Sequence, residues 1–580
     1  MSMRPISLAI LLAWNSFFVH AQTTPEPSHP ILKQVLVDIR EFREQERKRD
    51  QNSGFPLGLH GASEAKRSHD FALEIQKRIQ QIDRNSLSFA DEINADLLLY
   101  SLEDDISEYQ FKSYLNPLLS EGGFHTNITG IANSIIRNAK DAEDYLNKLS
   151  DMPRYMEEHF GLIREGLSIG IAQPYDVIKS FNNTYEIHIV EKPEQSQFWK
   201  PFQKKPTGIT EPEWQSILEK ARKLIMEKVV VAYKNVKIFF EKEYLPKAPQ
   251  KPGAQFFPEG MKFYQERVRH FTTTDLHYDS IYNVGLAEVS RIQKAMREVK
   301  DQVGFKGSMQ EFIQSLRTDP KFYPKTGEEL LKEASFIAKK IDGKLPLLFG
   351  RLPRQPYGVE PVPSEIAPTY TAGRYSPSPI NSTRAGHYWV NLYNLPSRTM
   401  YTLEALTLHE AVPGHHLQMS LTQELENLPQ FRRNLYVNAF GEGWGLYAES
   451  LGYEMGLYKD PYSRFGQLTY DMWRACRLVI DVGLHAKGWS RQQAVDYLAG
   501  NTALSLHEVN TEINRYIAWP GQALAYKMGE LKIKELRQRA ASALGEKFDV
   551  RKFHDLILSE GTLTLRLMEK LVDRYIDSNK

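Results

Sequence analysis

The sequence predicts a mainly α-helical protein with one small β-containing segment. Two long regions, about residues 30–250 and 400–580, repeat apolar residues at three- and four-residue steps, which is the period of an amphipathic helix. Between them, residues 350–398 are rich in Pro, Gly, Ser and Tyr, a composition that favours turns and strands. We therefore expect a large helical fold with a deep cleft, and a small β-sheet directly before a helix that carries a histidine cluster.

The first residues have the composition of a secretory signal peptide. A basic start at Arg4 precedes an apolar run from Ile6 to Val19, and a small residue, Ala21, follows. The run is too short to cross a bilayer comfortably, and we find no other stretch long and apolar enough to do so. We expect a signal peptide over residues 1–21, cleavage near Ala21, and a protein that is secreted or periplasmic.

Helical periodicity is clearest in the segments "ILKQVLVDIREFREQERKRD" and "SILEKARKLIMEKVVVAYKNVKIFFEKEYL". A chain of 580 residues exceeds the length of a typical single domain. We expect an N-terminal helical part over residues 22–260 and a catalytic part over residues 261–580 that contains the histidine cluster. One continuous domain over residues 22–580 remains an alternative.

Composition excludes several classes of protein. The formal net charge of +1 argues against nucleic acid as the main partner. Cys476 is the single cysteine, so the chain has no internal disulfide and depends on core burial for stability. The sequence leaves the oligomeric state open.

The best strand candidate is "GHYWVNLY" at residues 386–393. An exposed edge of this strand would hold an extended peptide through main-chain hydrogen bonds. His387 and Asn391 would lie beside such a peptide and are candidate substrate-binding residues.

The segment "TMYTLEALTLHEAV" reads as a helix that ends near His409 and Glu410 and continues into "HEAVPGHH". Two histidines and a carboxylate can hold Zn²⁺, and an adjacent glutamate can take the proton of water. An unbroken helix would hold His409 and His415 roughly 10 Å apart, too far for one ion to bridge. Pro413 and Gly414 predict a break that would draw the second histidine back. His415 is the favoured second ligand, and His416 is the alternative.

A third ligand comes from "GEGWGLYAES", where Glu442 lies 27 residues after His415. That interval fits a turn followed by a second helix beside the first. Glu449 is seven residues further along the same helical face and is a candidate for supporting the ligands.

The blocks "HEAVPGHHLQ", "GEGWGLYAES" and "RYIAWPGQALAYKMG" resemble a bacterial family catalogued as domain of unknown function 885. More distantly, they are similar to the helical-cleft gluzincins, which include angiotensin-converting enzyme, the thimet-type oligopeptidases and the Taq-type carboxypeptidases. The gluzincin resemblance implies a metallopeptidase-like fold in which His409, His415 and Glu442 hold zinc. It also implies that Glu410 is the general base and that Tyr526 stabilises the oxyanion.

Two features depart from the gluzincin pattern. The histidine motif is two residues longer around Pro413, and Leu446 stands where some gluzincins have an orienting aspartate. Arg515 and Tyr516, in the last block, are candidates for binding a substrate carboxylate. We therefore expect a zinc-dependent peptidase for short or unfolded peptides.

The sequence leaves two other interpretations open. A non-catalytic helical protein would bind peptides or an envelope partner and keep a structural or vestigial metal site. A serine hydrolase would use Ser168, in the G-x-S-x-G pattern of residues 166–170. The residues before Ser168 predict a helix rather than the strand that this motif requires, which argues against the serine hydrolase.

Overall fold

The structure, a computed structural model, describes residues 26–364, 367, 370–380 and 382–580. Helices of all kinds account for 69% of the described residues and strands for 3%, so the mainly α prediction is confirmed. The predicted signal peptide lies outside the described residues. Among the helices described, none has the length and apolar character to cross a membrane.

Between residues 26 and 350, the structure describes thirteen α-helices and two very short strands. A 3-10 turn, a loop or a π-helical turn separates most consecutive elements. The helices are α1 Pro30–Asn52, α2 Ala62–Gln80, α3 Phe89–Gln110, α4 Phe124–Asn127, α5 Ala139–Ile169, α6 Tyr175–Ile178, α7 Asn182–Glu186, α8 Glu211–Leu224, α9 Val230–Ile238, α10 Gly260–Thr272, α11 Tyr278–Gln302, α12 Met309–Thr318 and α13 Gly327–Asp342, and the strands are β1 Leu118–Leu119 and β2 Gly122–Gly123.

Three strands and ten further helices complete the described chain. The strands lie together before the helices, as the composition of residues 350–398 predicts. They are β3 Tyr357–Pro361, β4 Gly373–Ser376 and β5 Gly386–Val390, followed by α14 Leu403–Glu410, α15 His415–Gln423, α16 Gln430–Asn434, α17 Asn438–Leu451, α18 Pro461–Ala486, α19 Arg491–Asn501, α20 Leu506–Ala518, α21 Ala525–Leu544, α22 Val550–Leu558 and α23 Leu565–Asn579.

Side chains of Ser and Thr fix several helix starts. The Ser505 hydroxyl accepts a hydrogen bond from the backbone N–H of Glu508 at 3.2 Å, which caps α20. The Thr326 hydroxyl caps α13 in the same way, accepting from Glu329 at 3.1 Å. These caps satisfy backbone donors that the first helical turn leaves without partners.

The three-stranded sheet has the order β3-β5-β4. β5 is parallel to β3 and antiparallel to β4, with Tyr375 opposite Tyr388. β5 is therefore the central strand, and β4 is an edge strand. The Tyr388 hydroxyl lies 3.3 Å from the Thr407 hydroxyl on α14, so this face of the sheet packs against the histidine-bearing helix.

The main core contains apolar side chains from both sides of residue 260, from Leu57 to Ile576. Within it, α17 and α21 approach very closely because glycines face each other. A Cβ added to Gly443 would lie 2.5 Å from the Cα of Gly529, closer than atoms pack. This contact holds the start of α21 against the helix that carries Glu442.

Candidate metal centre

The helix carrying the first histidine breaks where the sequence predicts. α14 ends at Glu410 and α15 begins at His415. A Cβ on Gly414 would overlap the backbone oxygens of Leu408 and His409, so only glycine fits the turn. The Trp444 indole N–H donates to the Pro413 carbonyl at 2.8 Å and attaches the turn to α17.

The break brings together His409, His415 and Glu442. One ligand atom from each lies within 4.8 Å of the others. The Oε2 of Glu442 is 3.7 Å from His409 Nε2 and 3.6 Å from His415 Nε2. Ligand bonds of about 2.1 Å in a tetrahedral arrangement place neighbouring donor atoms about 3.4 Å apart, so the spacing fits a zinc ion.

His416 belongs to a different environment. Its Nδ1 lies 2.9 Å from the Tyr375 hydroxyl and 3.2 Å from the Ser420 hydroxyl. Burial lowers its pKa to about 4. Of the two candidates for the second ligand, the structure therefore places His415 with His409 and Glu442, and His416 beside the sheet.

The remaining oxygen of Glu442 has its own partner. The Tyr436 hydroxyl donates to Glu442 Oε1 at 3.1 Å, which leaves Oε2 toward the histidines. Burial opposes the charged form of Glu442, but hydrogen bonds with His409 and His415 outweigh it and hold the Glu442 pKa well below its ordinary value. Glu442 is therefore an anion, the form in which a carboxylate binds a cation.

His409 is fixed from behind by Glu449. The His409 Nδ1–H donates to Glu449 Oε1 at 2.8 Å, which directs Nε2 toward Glu442. Glu449 is fully buried, and its Oε1 lies 3.2 Å from Nη2 of Arg474. Burial lowers the pKa of His409, but the carboxylates of Glu442 and Glu449 outweigh burial and raise it to about 10. Leu446 has no carboxylate to support His409. Glu449, about one helical turn after Leu446, supplies it instead.

A glycine makes room for the His409 ring. A Cβ on Gly445 would lie 2.7 Å from Cε1 of His409 and 2.9 Å from Nε2. Any side chain at this position would displace the ring. Gly445 is therefore part of the metal centre although it contributes no ligand atom.

Glu410 connects the metal centre to the edge strand. Its Oε2 accepts the backbone N–H of Tyr375 at 2.7 Å, and the side chain is largely buried. The backbone N–H of Asn391 donates to the Ala372 carbonyl at 2.9 Å. Because hydrogen-bonded pairs alternate along antiparallel strands, Gly373 and Tyr375 direct their backbone groups away from β5, and the Tyr375 N–H meets Glu410.

Tyr526 lies at the start of α21, beside two arginines. Its hydroxyl accepts from Nη2 of Arg515 at 3.2 Å. The Arg477 guanidinium lies 3.9 Å from the centre of its ring. Burial and the charge of Glu442 raise the pKa of Tyr436 well above its ordinary value, and the neighbouring hydroxyl of Tyr526 contributes to this rise.

Two predicted substrate-binding residues are not placed for that role. β5 pairs with a strand on each side, so the prediction that "GHYWVNLY" offers a free edge is wrong. The Asn391 side chain is fully buried, and its amide donates to the carbonyls of Ala367, Tyr370 and Thr371. His387 alternates with Tyr388, points to the sheet face away from α14, and pairs with Glu360 at 3.1 Å.

Tyr516 also serves structure rather than substrate. It is buried, and its hydroxyl accepts from Trp473 Nε1 at 2.7 Å and Arg477 Nε at 3.0 Å. Ser168 lies in the last turn of α5 and donates to the Glu165 carbonyl. That helix is not the strand–turn–helix of a serine nucleophile, which agrees with the argument from the sequence.

Three further residues of the site, Tyr375, Tyr436 and Gly445, are not apparent from the sequence. Gly445 lies three residues after Glu442 and Tyr436 lies six residues before it, and this closeness in sequence was the available signal. Tyr375 sits on a strand of only four residues, too short for a recognisable alternation.

The fold and the site define a mainly helical protein with a buried His-His-Glu cluster and a glutamate beside its first histidine. Residues 57–572 match the family model described as bacterial protein of unknown function (DUF885). The chain belongs to this family, which confirms the resemblance seen in the sequence.

Two solved structures are similar to this chain. One is the crystal structure of the putative lipoprotein from Colwellia psychrerythraea, 28% identical, with a TM-score of 0.82, covering 90% of this chain and 93% of that one. The other is a putative lipoprotein of unknown function from Shewanella oneidensis, 16% identical, with a TM-score of 0.69, covering 94% of this chain and 100% of that one, and it shares the fold. A search of the curated proteins finds no match.

Proposed function

We propose that this protein is a zinc-dependent peptidase that hydrolyses short or unfolded peptides outside the cytoplasm. The observation that carries the proposal is the juxtaposition of three ligand-capable side chains with Glu410. A structural zinc site is normally closed by four protein ligands, whereas His409, His415 and Glu442 supply three. Three ligands leave a position for a reactant.

Glu410 is the proposed general base. When bound, zinc supplies a Lewis acid that polarises a carbonyl and makes water easier to deprotonate. Glu410 follows His409 directly, and the Tyr375 N–H at 2.7 Å holds one of its oxygens in place. The other oxygen takes a proton from the attacking water and passes it to the leaving amine.

Tyr526 is the proposed donor to the oxyanion. Arg515 donates to the Tyr526 oxygen, so the phenol O–H remains to donate toward a reacting carbonyl. The arginine also makes the hydroxyl a better donor, because its positive charge stabilises the negative charge that builds on the oxygen when the O–H donates. A donor directed at developing negative charge lowers the barrier to hydrolysis.

The substrate peptide would lie along β4 rather than β5. Gly373 and Tyr375 direct their backbone groups away from β5, and the Tyr375 N–H bonds Glu410, so a strand paired with the Gly373 end of this edge would bring a peptide bond beside the proposed base. Location outside the cytoplasm is supported by the signal-like first residues. The description of two similar structures as putative lipoproteins agrees with it.

The test compares Glu410→Gln with the wild type. We expect zinc content to be unchanged and cleavage of an unstructured peptide to fall 10²- to 10⁴-fold, the usual contribution of a general base. Glu454→Gln is the matched control, since Glu454 pairs with Arg537 away from the ligands. Unchanged cleavage by Glu410→Gln would exclude Glu410 as the base. Metal without any cleavage in the wild type would favour the non-catalytic alternative.

A further inference from the structure

Gln522 is a buried glutamine whose amide forms a hydrogen bond at each end. It begins the short 3-10 turn that leads into α21, and only 3% of its surface is exposed. Its Oε1 accepts from Nη2 of Arg515 at 3.1 Å, and its Nε2 donates to Oδ1 of Asn438 at 3.3 Å. Arg515 belongs to α20, and Asn438 is the first residue of α17, about one turn before Glu442. Gln522 therefore connects the helix of a proposed metal ligand with an arginine beside Tyr526.

One nitrogen of Arg515 contacts both Gln522 and Tyr526. Nη2 donates to Gln522 Oε1 at 3.1 Å and to the Tyr526 hydroxyl at 3.2 Å. That nitrogen carries two hydrogens, and both are fixed in the plane of the guanidinium. When Gln522 holds one of them, the direction of the other is set, and it points at the Tyr526 oxygen. The second terminal nitrogen, Nη1, lies 3.6 Å from Glu512 Oε1, a looser contact.

A buried carboxylate fixes the backbone directly before Gln522. The Gly521 N–H donates to both oxygens of Asp481, at 3.1 and 3.2 Å, and the Tyr264 hydroxyl donates to Asp481 Oδ1 at 2.7 Å. Gly521 has a φ of +81°, in the left-handed region that favours glycine. Asp481 is fully buried, so solvent does not compete for these contacts. The turn therefore presents Gln522 at one position, which precise placement of a neighbouring group requires.

The packing of α21 against α17 places Tyr526 near the start of α17. Gly443 on α17 faces Gly529 on α21, and further along both helices Arg537 donates to the Tyr447 hydroxyl at 2.9 Å. The two helices are therefore parallel. Tyr526 lies three residues before Gly529 on the same helical face, so it is level with the first turn of α17. That turn is the one to which the Gln522 amide donates.

We propose that Gln522 is a positioning residue for Tyr526, an inference that rests on the proposed peptidase function. Gln522 holds the Arg515 guanidinium against the Tyr526 oxygen, so the phenol O–H is left to donate toward the oxyanion. A donor aimed at developing charge acts in the transition state rather than on the bound peptide. Loss of Gln522 should therefore lower kcat and leave KM nearly unchanged.

Gln522→Met removes both hydrogen bonds at similar side-chain length. With an unstructured peptide, kcat should fall about 10- to 100-fold with KM nearly unchanged, because a small misplacement of a catalytic group costs about this much. Gln522→Glu keeps an acceptor for Arg515 and should retain kcat within about threefold of the wild type. If Gln522→Met does not fold, Asn438→Ala removes one end of the contact and should lower kcat about threefold.

Tyr526→Phe separates positioning from a general loss of structure. If Gln522 acts through the Tyr526 hydroxyl, Gln522→Met should change kcat by less than about twofold in the Tyr526→Phe background. Gln467→Met is the control for the loss of a buried glutamine. Gln467 accepts from the Tyr453 hydroxyl at 2.9 Å and lies about three turns before Arg477 on α18. This control should lower the Tm and leave kcat unchanged.

A binding measurement tests the inference without catalysis. A phosphinic peptide, whose tetrahedral phosphinate resembles the oxyanion, is titrated by calorimetry into the zinc-loaded wild type and Gln522→Met. We expect about tenfold weaker binding by the variant, with zinc content unchanged.

The outcomes separate the two proposals. Cleavage and phosphinic-peptide binding that Gln522→Met leaves unchanged, or an equal loss of kcat in the Tyr526→Phe background, would overturn the positioning role alone. A wild type that binds the phosphinic peptide but cleaves no peptide contradicts the proposed function, and the calorimetry still decides the role of Gln522. A wild type that does neither contradicts both.

Discussion

Glu449→Gln tests whether the carboxylate behind His409 tunes the metal centre. Glu449 Oε1 accepts from His409 Nδ1–H at 2.8 Å, and both side chains are buried, so solvent does not screen the contact. Glutamine keeps the shape and an acceptor oxygen but removes the negative charge. Loss of such a partner typically weakens metal binding 10- to 100-fold, about 1.4–2.7 kcal/mol.

The assay is the apparent Kd for zinc, measured by competition with a chelator at constant pH. Glu454→Gln is the control, because Glu454 forms a partly exposed ion pair with Arg537 and should leave the zinc Kd unchanged. A Glu449→Gln protein that folds normally and binds zinc within twofold of the wild type would refute the reasoning. Arg474, 3.2 Å from Glu449, would then be the main reason for the buried carboxylate.

Three further predictions concern single residues. Gly445→Ala should weaken zinc binding at least tenfold and lower the Tm, because its methyl group would lie 2.7 Å from the His409 ring; unchanged binding would show that the ring can move freely. Tyr526→Phe should lower kcat about 10²- to 10³-fold with little change in KM, measured on an unstructured peptide, and a change in KM alone would assign Tyr526 to binding. Asp481→Asn should raise the Tm at pH 8 and leave it nearly unchanged at pH 4. Burial raises the Asp481 pKa from 3.8 to about 7, despite hydrogen bonds from Tyr264 and the Gly521 N–H. The stability that Asp481 provides is therefore complete below pH 3.8 and is lost as the pH rises through 7. The loss is about 4 kcal/mol at most. A Tm difference that does not depend on pH would contradict this.

Local chemistry made part of the metal centre predictable. Pro413 and Gly414 cannot continue a helix without distortion, and this alone predicts the break between α14 and α15. The seven-residue spacing from Glu442 to Glu449 predicts that both lie on one face of a helix. In the structure they approach His409 from two sides. Such features depend on a few neighbouring residues, which is why they can be predicted from the sequence.

The sheet order and the choice between two histidines depend on distant contacts. β5 is the most strand-like segment because it is the central strand, and for the same reason it cannot offer an edge. The edge belongs to β4, whose Tyr375 also holds His416 away from the ligands. That contact joins residues 41 positions apart, and no local pattern predicts it.

The metal content of three purified proteins tests the central claim most directly. By elemental analysis, the wild type and His416→Ala should each contain about one zinc ion per chain, and His415→Ala should contain almost none. His416→Ala leaves the pair of histidines that face Glu442 intact, so it controls for the loss of an imidazole. Zinc retained by His415→Ala, or absent from the folded wild type after growth with zinc, would contradict the account.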